Sequence, residues 1–111
     1  MTIKPVEWRG SSRDDLRMFP DEARERAGFE LYQLQQGLAP SDWKPMTSIG
    51  PGIGEIRIQI GRQFRVLYVA KFPEAIYVLH AFEKKAQKTA SRDRALARHR
   101  LNDLVRLRRG G

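Results

Sequence analysis

The stretch EIRIQIGRQFRVLYVAKFPEAIYVLHAF, residues 55–82, decides the fold because three β-strand patterns follow one another in it. The first pattern alternates isoleucine with polar residues, which predicts a strand with one apolar face. The second is apolar apart from Arg65, as is typical of a central strand covered on both faces. We therefore predict a three-stranded antiparallel meander. Its strands cover residues 55–60, 64–70 and 76–82, and short turns at 61–63 and 71–74 join them.

Helical patterns lie on both sides of the meander. Pro20 interrupts the first pattern and restarts it as a first-turn proline of a second helix. Apolar residues in this second helix form one stripe, and Gly37 is its predicted end. Residues 3–8 predict a short strand with Pro5 at an edge or at its start, and residues 37–54, rich in Gly and Pro, predict an ordinary loop. The predicted helices cover residues 12–18, 20–36 and 92–108.

This order of elements predicts an α+β fold in one domain that spans residues 1–111. We expect a small antiparallel sheet, made of the N-terminal strand and the meander, with the helices on one face. Two N-terminal helices pack against the sheet, and a basic helix ends the chain. The absence of cysteine excludes a disulfide scaffold, a zinc ribbon and a thiol nucleophile. The two histidines do not suggest a metal site, so we expect no metal and no cofactor.

The distribution of apolar residues argues against a membrane partner. The chain contains no run of about 18 apolar residues, which a membrane-spanning helix requires. Its first ten residues also lack the apolar core of a signal peptide. We therefore expect a soluble cytoplasmic protein.

The net charge of +8 is concentrated near the end of the chain. Residues 83–109 hold ten basic and three acidic side chains, a net charge of +7, against +1 for the rest. Clustered cations attract polyanions and release counterions from phosphates. We predict nucleic acid or an acidic protein segment as the partner, and a solvated helix face or a disordered basic tail is the alternative.

Two arginines in the meander form a second cationic feature. A turn at 61–63 places Arg65 near Gln59 and makes Arg57 a diagonal neighbour of Arg65 on the same face. Two guanidinium groups repel each other unless an anion lies between them, and arginine binds phosphate through a fork of two N–H groups. Glu55 lies on the same face and offers the alternative, a structural salt bridge to either arginine.

The segment after the third strand adds three lysines, Lys84, Lys85 and Lys88, next to the two arginines. An aromatic side chain beside these cations provides a stacking surface for an unpaired base. Phe82 and Tyr68 are the two candidates for that surface. The alternative for Phe82 is a place in the hydrophobic core, because aromatic residues at strand ends usually pack there.

His80 is the histidine that lies inside a predicted strand. Its ordinary pKa suits a general base. Alternation, however, places it on one face with Ile76, Val78 and Phe82, which indicates a buried, hydrogen-bonded structural histidine. His99 lies among arginines of the last helix, and we expect it to be exposed.

Three segments together resemble a known family. They are EIR at 55–57, FRVLY at 64–68 and HAFEKKAQKT at 80–89, and they look like the phage-related, HigB-like branch of the RelE/ParE toxin superfamily. The resemblance covers residues 4–105. Its most specific part is the Phe-x-Lys-Lys-x-x-Lys run that begins at Phe82 and follows an arginine-bearing hairpin.

The resemblance implies the toxin of a type II toxin–antitoxin system, a metal-independent endoribonuclease that cleaves mRNA on the ribosome. Its implied partners are a helix-turn-helix antitoxin, mRNA and ribosomal RNA. In such enzymes the ribose 2′-hydroxyl attacks the adjacent phosphate. Arg57 and Arg65 are then expected to hold the phosphate, with proton transfer assisted by one of Lys84, Lys85, Lys88 and His80. The residues expected to contact the RNA substrate are Glu55, Tyr68, Phe82, Gln87 and Arg92.

The chain also departs from the family pattern. Many nucleases of the superfamily carry a tyrosine or an aspartate–histidine set near the C-terminus, whereas residues 83–111 contain no tyrosine. Tyr68 is the available substitute. ParE-type relatives poison DNA gyrase and lack ribonuclease activity. Two alternatives therefore stay open, a gyrase-inhibiting toxin and a catalytically inactive, phage-related nucleic-acid-binding protein.

Overall fold

A computed structural model of the chain describes residues 3–110, so the ends of the predicted domain, residues 1–2 and 111, lie outside the described part. The predicted meander is present as three long antiparallel strands, and two short strands flank it. The strands are β1 (Val6–Trp8), β2 (Trp43–Pro45), β3 (Ile53–Ile60), β4 (Arg62–Val69) and β5 (Ile76–Lys84). They form one sheet in the order β1-β5-β4-β3-β2, in which β1 runs parallel to β5 and the other neighbours are antiparallel.

Three helices complete the α+β fold that the sequence predicts. They are α1 (Ser12–Arg17), α2 (Asp21–Gln35) and α3 (Ser91–Gly110). Pro20 has an extended ψ of 153° and is the N-cap of α2, so it lies just before the first turn in which it was predicted. Gly37, with a φ of +83°, follows the end of α2 as expected. In the described part of the chain no helix is long and apolar enough to cross a membrane.

The strand β2 corrects the prediction of an ordinary loop over residues 37–54. Trp43 pairs with Ile56 and Pro45 pairs with Gly54, so β2 adds an edge to the meander and β3 begins before residue 55. All three residues of β2 are exposed. The strand therefore lacks the apolar alternation by which strands are found in a sequence.

The helices lie on both faces of the sheet, which corrects the expectation of one face. One core holds α1 and α2 against the buried side chains of Ile56, Val66 and Val78. A second core holds α3 against Leu67 and Val69, the intervening residues of β4. Because successive strand residues point to opposite faces, the apolar run of β4 needs a cover on each side. This explains the burial of residues 64–69.

The β3–β4 turn is tighter than predicted, which changes the register. Ile60 pairs with Arg62, and Gly61, with a φ of +70°, lies alone between them. Arg57 is therefore directly opposite Arg65, instead of diagonal to it. Glycine permits this turn because its left-handed backbone conformation costs other residues free energy.

A β-bulge in β5 corrects the predicted face of His80. Leu67 pairs with His80 while the next residue, Tyr68, pairs with Val78, so Leu79 is the extra residue. The insertion reverses the alternation of side chains beyond this point. Val78 therefore faces α1 and α2, whereas His80 and Leu79 face α3.

Candidate functional site

Charged side chains from four strands meet on the α3 side of the sheet, towards the β3–β4 turn. Arg57 on β3, Arg65 on β4 and Phe82 on β5 lie opposite one another in one row. In neighbouring rows Lys44 pairs with Glu55, and Lys84 pairs with Gln63. Because paired residues share a face, the register alone places the two arginines beside a carboxylate and two lysines.

Glu55 lies between the two arginines. Its Oε1 accepts a hydrogen bond from Arg57 Nε at 3.3 Å and lies 3.6 Å from Arg65 Nε. The residue is only 1% exposed. The salt bridge considered from the sequence is therefore present and involves both arginines, yet one carboxylate leaves this group of three with a net positive charge.

Arg65 is held rigidly by its surroundings. Its Nη1 donates to the carbonyl oxygen of Phe64 at 2.9 Å, and its Nη2 donates to Gln63 Oε1 at 3.1 Å. The residue is 6% exposed. Burial lowers the pKa of Arg65, and the charge of Glu55 opposes this shift. The guanidinium group is thus fixed in place before any ligand arrives.

Arg57 is held at one nitrogen and open at the others. Its side chain is 34% exposed, and in the described part of the chain its Nη atoms make no hydrogen bond. Two N–H groups in a fixed fork match the oxygen atoms of a phosphate. Arg57 is therefore the arginine of the pair that can accept an anion from solvent.

Lys84 has a lowered pKa. Partial burial is the largest cause, and the positive charges of Arg65, Arg57 and Lys44 add to it, while Glu55 opposes it. Close cations favour the neutral amine because they repel a further positive charge. Lys84 is thus the lysine of the Lys84–Lys88 run for which the structure gives a physical reason to act as a proton acceptor.

Two adjoining cavities extend this cationic surface. The Arg65 pocket, of about 500 Å³, is lined by Arg65, Lys84, Lys85 and Gln87 among others. The Phe82 pocket, of about 390 Å³, shares Lys84 and Lys85 with it. The Phe82 pocket also contains Phe82, Glu83, Lys88, Arg92 and Asp93.

His80 lies behind Phe82 and contacts α3. Its Nε2 lies 2.7 Å from Asp93 Oδ1, and its ring stacks on Phe82 with 5.0 Å between centroids and 19° between planes. His80 Nδ1 is buried and makes no hydrogen bond in the described part of the chain. The structure thus confirms a buried, hydrogen-bonded histidine and gives it contacts to Phe82 and Asp93, not to a solvent-exposed phosphate site.

Tyr68 is the predicted site residue that lies elsewhere. Its side chain belongs to the core on the α1–α2 side of the sheet, next to Gly54 of β3. Burial raises the pKa of Tyr68 to about 12. Since the arginines point to the opposite face, the structure does not bring the available tyrosine to them.

Several arginines of α3 are used to attach this helix to the domain. Arg98 donates to the carbonyl oxygen of Ile49 at 3.0 Å, and Arg100 donates to that of Leu79 at 2.8 Å. Arg108 binds Glu74 through Nε at 2.7 Å and Nη2 at 3.1 Å. Part of the C-terminal charge is therefore structural. His99 is exposed, as expected, and lies 3.2 Å from an oxygen of Asp103.

Two residues of the site are not indicated by any local pattern in the sequence. Lys44 lies on β2, which had been predicted as loop, so no pattern placed it beside Glu55. Asp93 lies on α3, thirteen positions after His80, and only the packing of α3 on the sheet brings the two together. In the described part of the chain no group of three or more His, Cys, Asp and Glu residues is arranged to hold a metal ion.

A family model described as "Phage derived protein Gp49-like (DUF891)" matches residues 14–102 of the chain. The match spans β2 to β5 and the first half of α3, and so includes every residue of the two pockets. No curated protein matches the chain.

Proposed function

Since the chain belongs to the phage-derived Gp49-like family, we propose that it is the toxin of a type II toxin–antitoxin pair. Its proposed activity is metal-independent cleavage of mRNA on the ribosome, in the cytoplasm. The observation that supports this activity most directly is the pairing of Arg57 with Arg65 around a single buried carboxylate. The resemblance of the hairpin and the lysine run to HigB-like toxins agrees with it.

The charges around this pair favour an RNA phosphate as the ligand. Glu55 compensates one of the two guanidinium charges, and Lys84 adds another cation nearby. An incoming phosphate restores the balance, and Arg57 has free N–H groups with which to bind it. Arg65 needs no rearrangement, because its guanidinium is already fixed by Phe64 and Gln63. Fixed donors of this kind stabilise the charge that builds up in a transition state.

Cleavage then follows by internal attack. The ribose 2′-oxygen forms a bond to phosphorus, the bond from phosphorus to the 5′-oxygen breaks, and a 2′,3′-cyclic phosphate and a 5′-hydroxyl result. Lys84 in its neutral form accepts the proton of the 2′-hydroxyl, which its lowered pKa favours. Lys85 lines the same pocket and donates a proton to the 5′-oxygen as an ammonium group. Arg57 holds the phosphate oxygens throughout, and the positive charge of Arg65 opposite it stabilises the negative charge that builds up on them.

A helix-turn-helix antitoxin is the proposed protein partner. The exposed cations of the lysine run, Lys85 and Lys88, form no ion pair in the described part of the chain. An acidic segment of an antitoxin that covers these cations keeps RNA away from Arg57 and Arg65 by charge complementarity.

Induced expression in a bacterial host tests this function. We expect growth arrest, loss of translation and new mRNA ends in cells that express the unaltered protein, and none of these with Arg57→Ala. Arg106→Ala is the matched control, because Arg106 is exposed and, among residues 3–110, its side chain pairs only with Asp103 on its own helix. Intact translation and intact mRNA would overturn the proposal, and a loss of DNA supercoiling in the same cells would instead identify a gyrase inhibitor.

A further inference from the structure

We propose that the Phe82 pocket binds a guanine base next to the phosphate held by Arg57 and Arg65, so that the protein prefers to cut RNA beside guanine. This inference rests on the proposed function and names the substrate feature that the site selects. Three observations carry it: a fixed aromatic surface, the carboxylate of Asp93 within a cationic pocket, and the position of that pocket beside the arginine pair.

The aromatic surface is the ring of Phe82. His80 stacks on one side of this ring at 5.0 Å and is itself fixed by the 2.7 Å contact with Asp93. The ring is only partly buried and borders the pocket. Bases unstacked from RNA bind preferentially on such aromatic faces. The His80–Asp93 pair is therefore a positioning device that holds Phe82 in orientation.

The carboxylate that faces the pocket with Phe82 belongs to Asp93. One oxygen of Asp93 contacts His80, and the second makes no hydrogen bond in the described part of the chain. Its side chain is 15% exposed, enough for a ligand in the pocket to reach it. Glu83 pairs with Phe64 in the sheet, so its side chain lies on the α1–α2 face, where it is 3.4 Å from Arg62 and does not serve as an acceptor beside Phe82. The second oxygen of Asp93 is therefore an acceptor available to a donor group of a ligand in the pocket.

Carboxylate acceptors select guanine among the four bases. Guanine presents two adjacent N–H donors on its Watson–Crick edge, so it can donate two hydrogen bonds to one carboxylate. In adenine and cytosine the amino group is next to a ring nitrogen that carries a lone pair, which a carboxylate repels. In uracil the single N–H lies between two carbonyl oxygens.

The position of the pocket fits a neighbouring nucleotide. Phe82 is directly opposite Arg65 in the sheet, and Lys84 and Lys85 line both pockets. A base on Phe82 thus brings its own phosphate towards the shared lysines and the arginine pair. The cavity of about 390 Å³ is large enough for one base and its ribose.

Cleavage of short RNAs tests the preference. Short mRNAs with one cleavable bond are bound to ribosomes in two sets. In one set the base before that bond is guanine, adenine, cytosine or uracil, and in the other set the base after it is varied in the same way. We expect kcat/KM to favour guanine on one side by about tenfold or more. Asp93→Asn should abolish this preference, because an amide of the same size replaces the carboxylate and can still accept from His80. Asp103→Asn on the exposed side of α3 should retain it.

Binding of mononucleotides separates this inference from the proposed function. Calorimetry should show that the unaltered protein binds guanosine 3′- or 5′-monophosphate more tightly than the adenosine equivalents. Phe82→Leu should weaken binding of all of them, and Phe82→Tyr should restore it. Cleavage without base preference, together with equal binding of both nucleotides, would overturn the guanine subsite and leave the ribonuclease intact. Selective guanine binding without any cleavage would support the subsite and reject the proposed function.

Discussion

At the scale of single residues, Arg57 and Arg65 have different tasks although they face each other across two strands. Arg65 is buried, makes two hydrogen bonds to neighbouring groups on its own strand and contacts the buried Glu55. The side chain of Arg57 donates a hydrogen bond to the same Glu55, and the rest of its guanidinium group is open to solvent. Removal of either arginine should therefore slow RNA cleavage. Only removal of Arg65 should strongly lower the free energy of unfolding.

Alanine substitutions separate these tasks. Arg57→Ala should lower RNA cleavage by about 100-fold or more, as the loss of a transition-state donor does, with a smaller loss of unfolding free energy because its side chain is part-exposed. Arg65→Ala should in addition lower the free energy of unfolding by about 3 kcal/mol, because it removes a buried side chain and its hydrogen bonds to Phe64 and Gln63 and leaves a cavity. Denaturant titrations and cleavage rates measure both effects. Equal unfolding free energies for the two variants would contradict the assignment.

The pH dependence of cleavage reports on Lys84. Only the neutral amine accepts a proton, so the cleavage rate should rise with pH through the lowered pKa of Lys84. Lys44→Gln removes one of the cations that lower this pKa and should move the rising limb to higher pH. Lys71→Gln is the control, since Lys71 is not among the charges that act on Lys84.

The pH–rate profiles of the unaltered protein, Lys44→Gln, Lys71→Gln and Lys84→Met test this assignment. A rising limb that stays in place in Lys44→Gln, or that persists in Lys84→Met, would show that another group accepts the proton.

At the scale of elements, β4 was the easiest part to predict and β2 the hardest. The apolar run of residues 64–69 predicts burial on both faces of the sheet, and the structure confirms this prediction. The three exposed residues of β2 carry no such signal, and their pairing with β3 alone makes them a strand. A strand could thus be predicted from the sequence where its burial requires apolar residues, as in β4, and not where it is exposed, as in β2.

Local sequence patterns do not predict the two backbone features that bring the site residues together. The one-residue turn at Gly61 changes which residue is opposite Arg65, and the bulge at Leu79 changes the face of His80. The shorter turn moves the pairing by two residues, which keeps each side chain on its face and changes its partner, whereas the bulge inserts one residue and reverses the faces beyond it. The residue types of the site were therefore predictable from the sequence, but their partners were not.

The close approach of β3 to Tyr68 gives a prediction for the sheet itself. A Cβ on Gly54 would lie 2.5 Å from Cζ of Tyr68, closer than such atoms approach. Gly54→Ala should therefore lower the free energy of unfolding by about 1–3 kcal/mol, as overpacking does. Gly28→Ala, in α2 with open space around it, should raise this free energy by up to about 1 kcal/mol. A stabilised Gly54→Ala in thermal or denaturant unfolding would contradict the packing of Tyr68 over β3.

At the scale of the whole molecule, the net charge of +8 divides into two uses. Arg98, Arg100 and Arg108 of α3 bind carbonyl and carboxylate groups of the same chain. The cations of the two pockets have no such partners in the described residues, apart from Arg65. The salt dependence of RNA binding should therefore correspond to a few phosphate contacts. It should be weaker than the total charge of +8 suggests.

Binding of a short 2′-O-methyl RNA, which lacks the attacking hydroxyl, measures this. With about four phosphate contacts the plot of log K against log salt should have a slope near −3. The double substitution Lys85→Gln with Lys88→Gln should reduce the steepness by about 1.4. Arg98→Gln should leave the slope unchanged and lower the free energy of unfolding instead. A slope that depends equally on Arg98 would show that α3, and not the pocket region, contacts RNA.

The most direct test of ribonuclease activity is the chemistry of the RNA ends produced by the purified protein on programmed ribosomes. We expect fragments with 5′-hydroxyl and 2′,3′-cyclic phosphate ends from the unaltered protein, about 100-fold fewer from Arg57→Ala, and an undiminished yield from Arg106→Ala. Intact mRNA with the unaltered, folded protein would contradict the proposed ribonuclease activity, and fragments that Arg57→Ala forms at the same rate would contradict the role of Arg57.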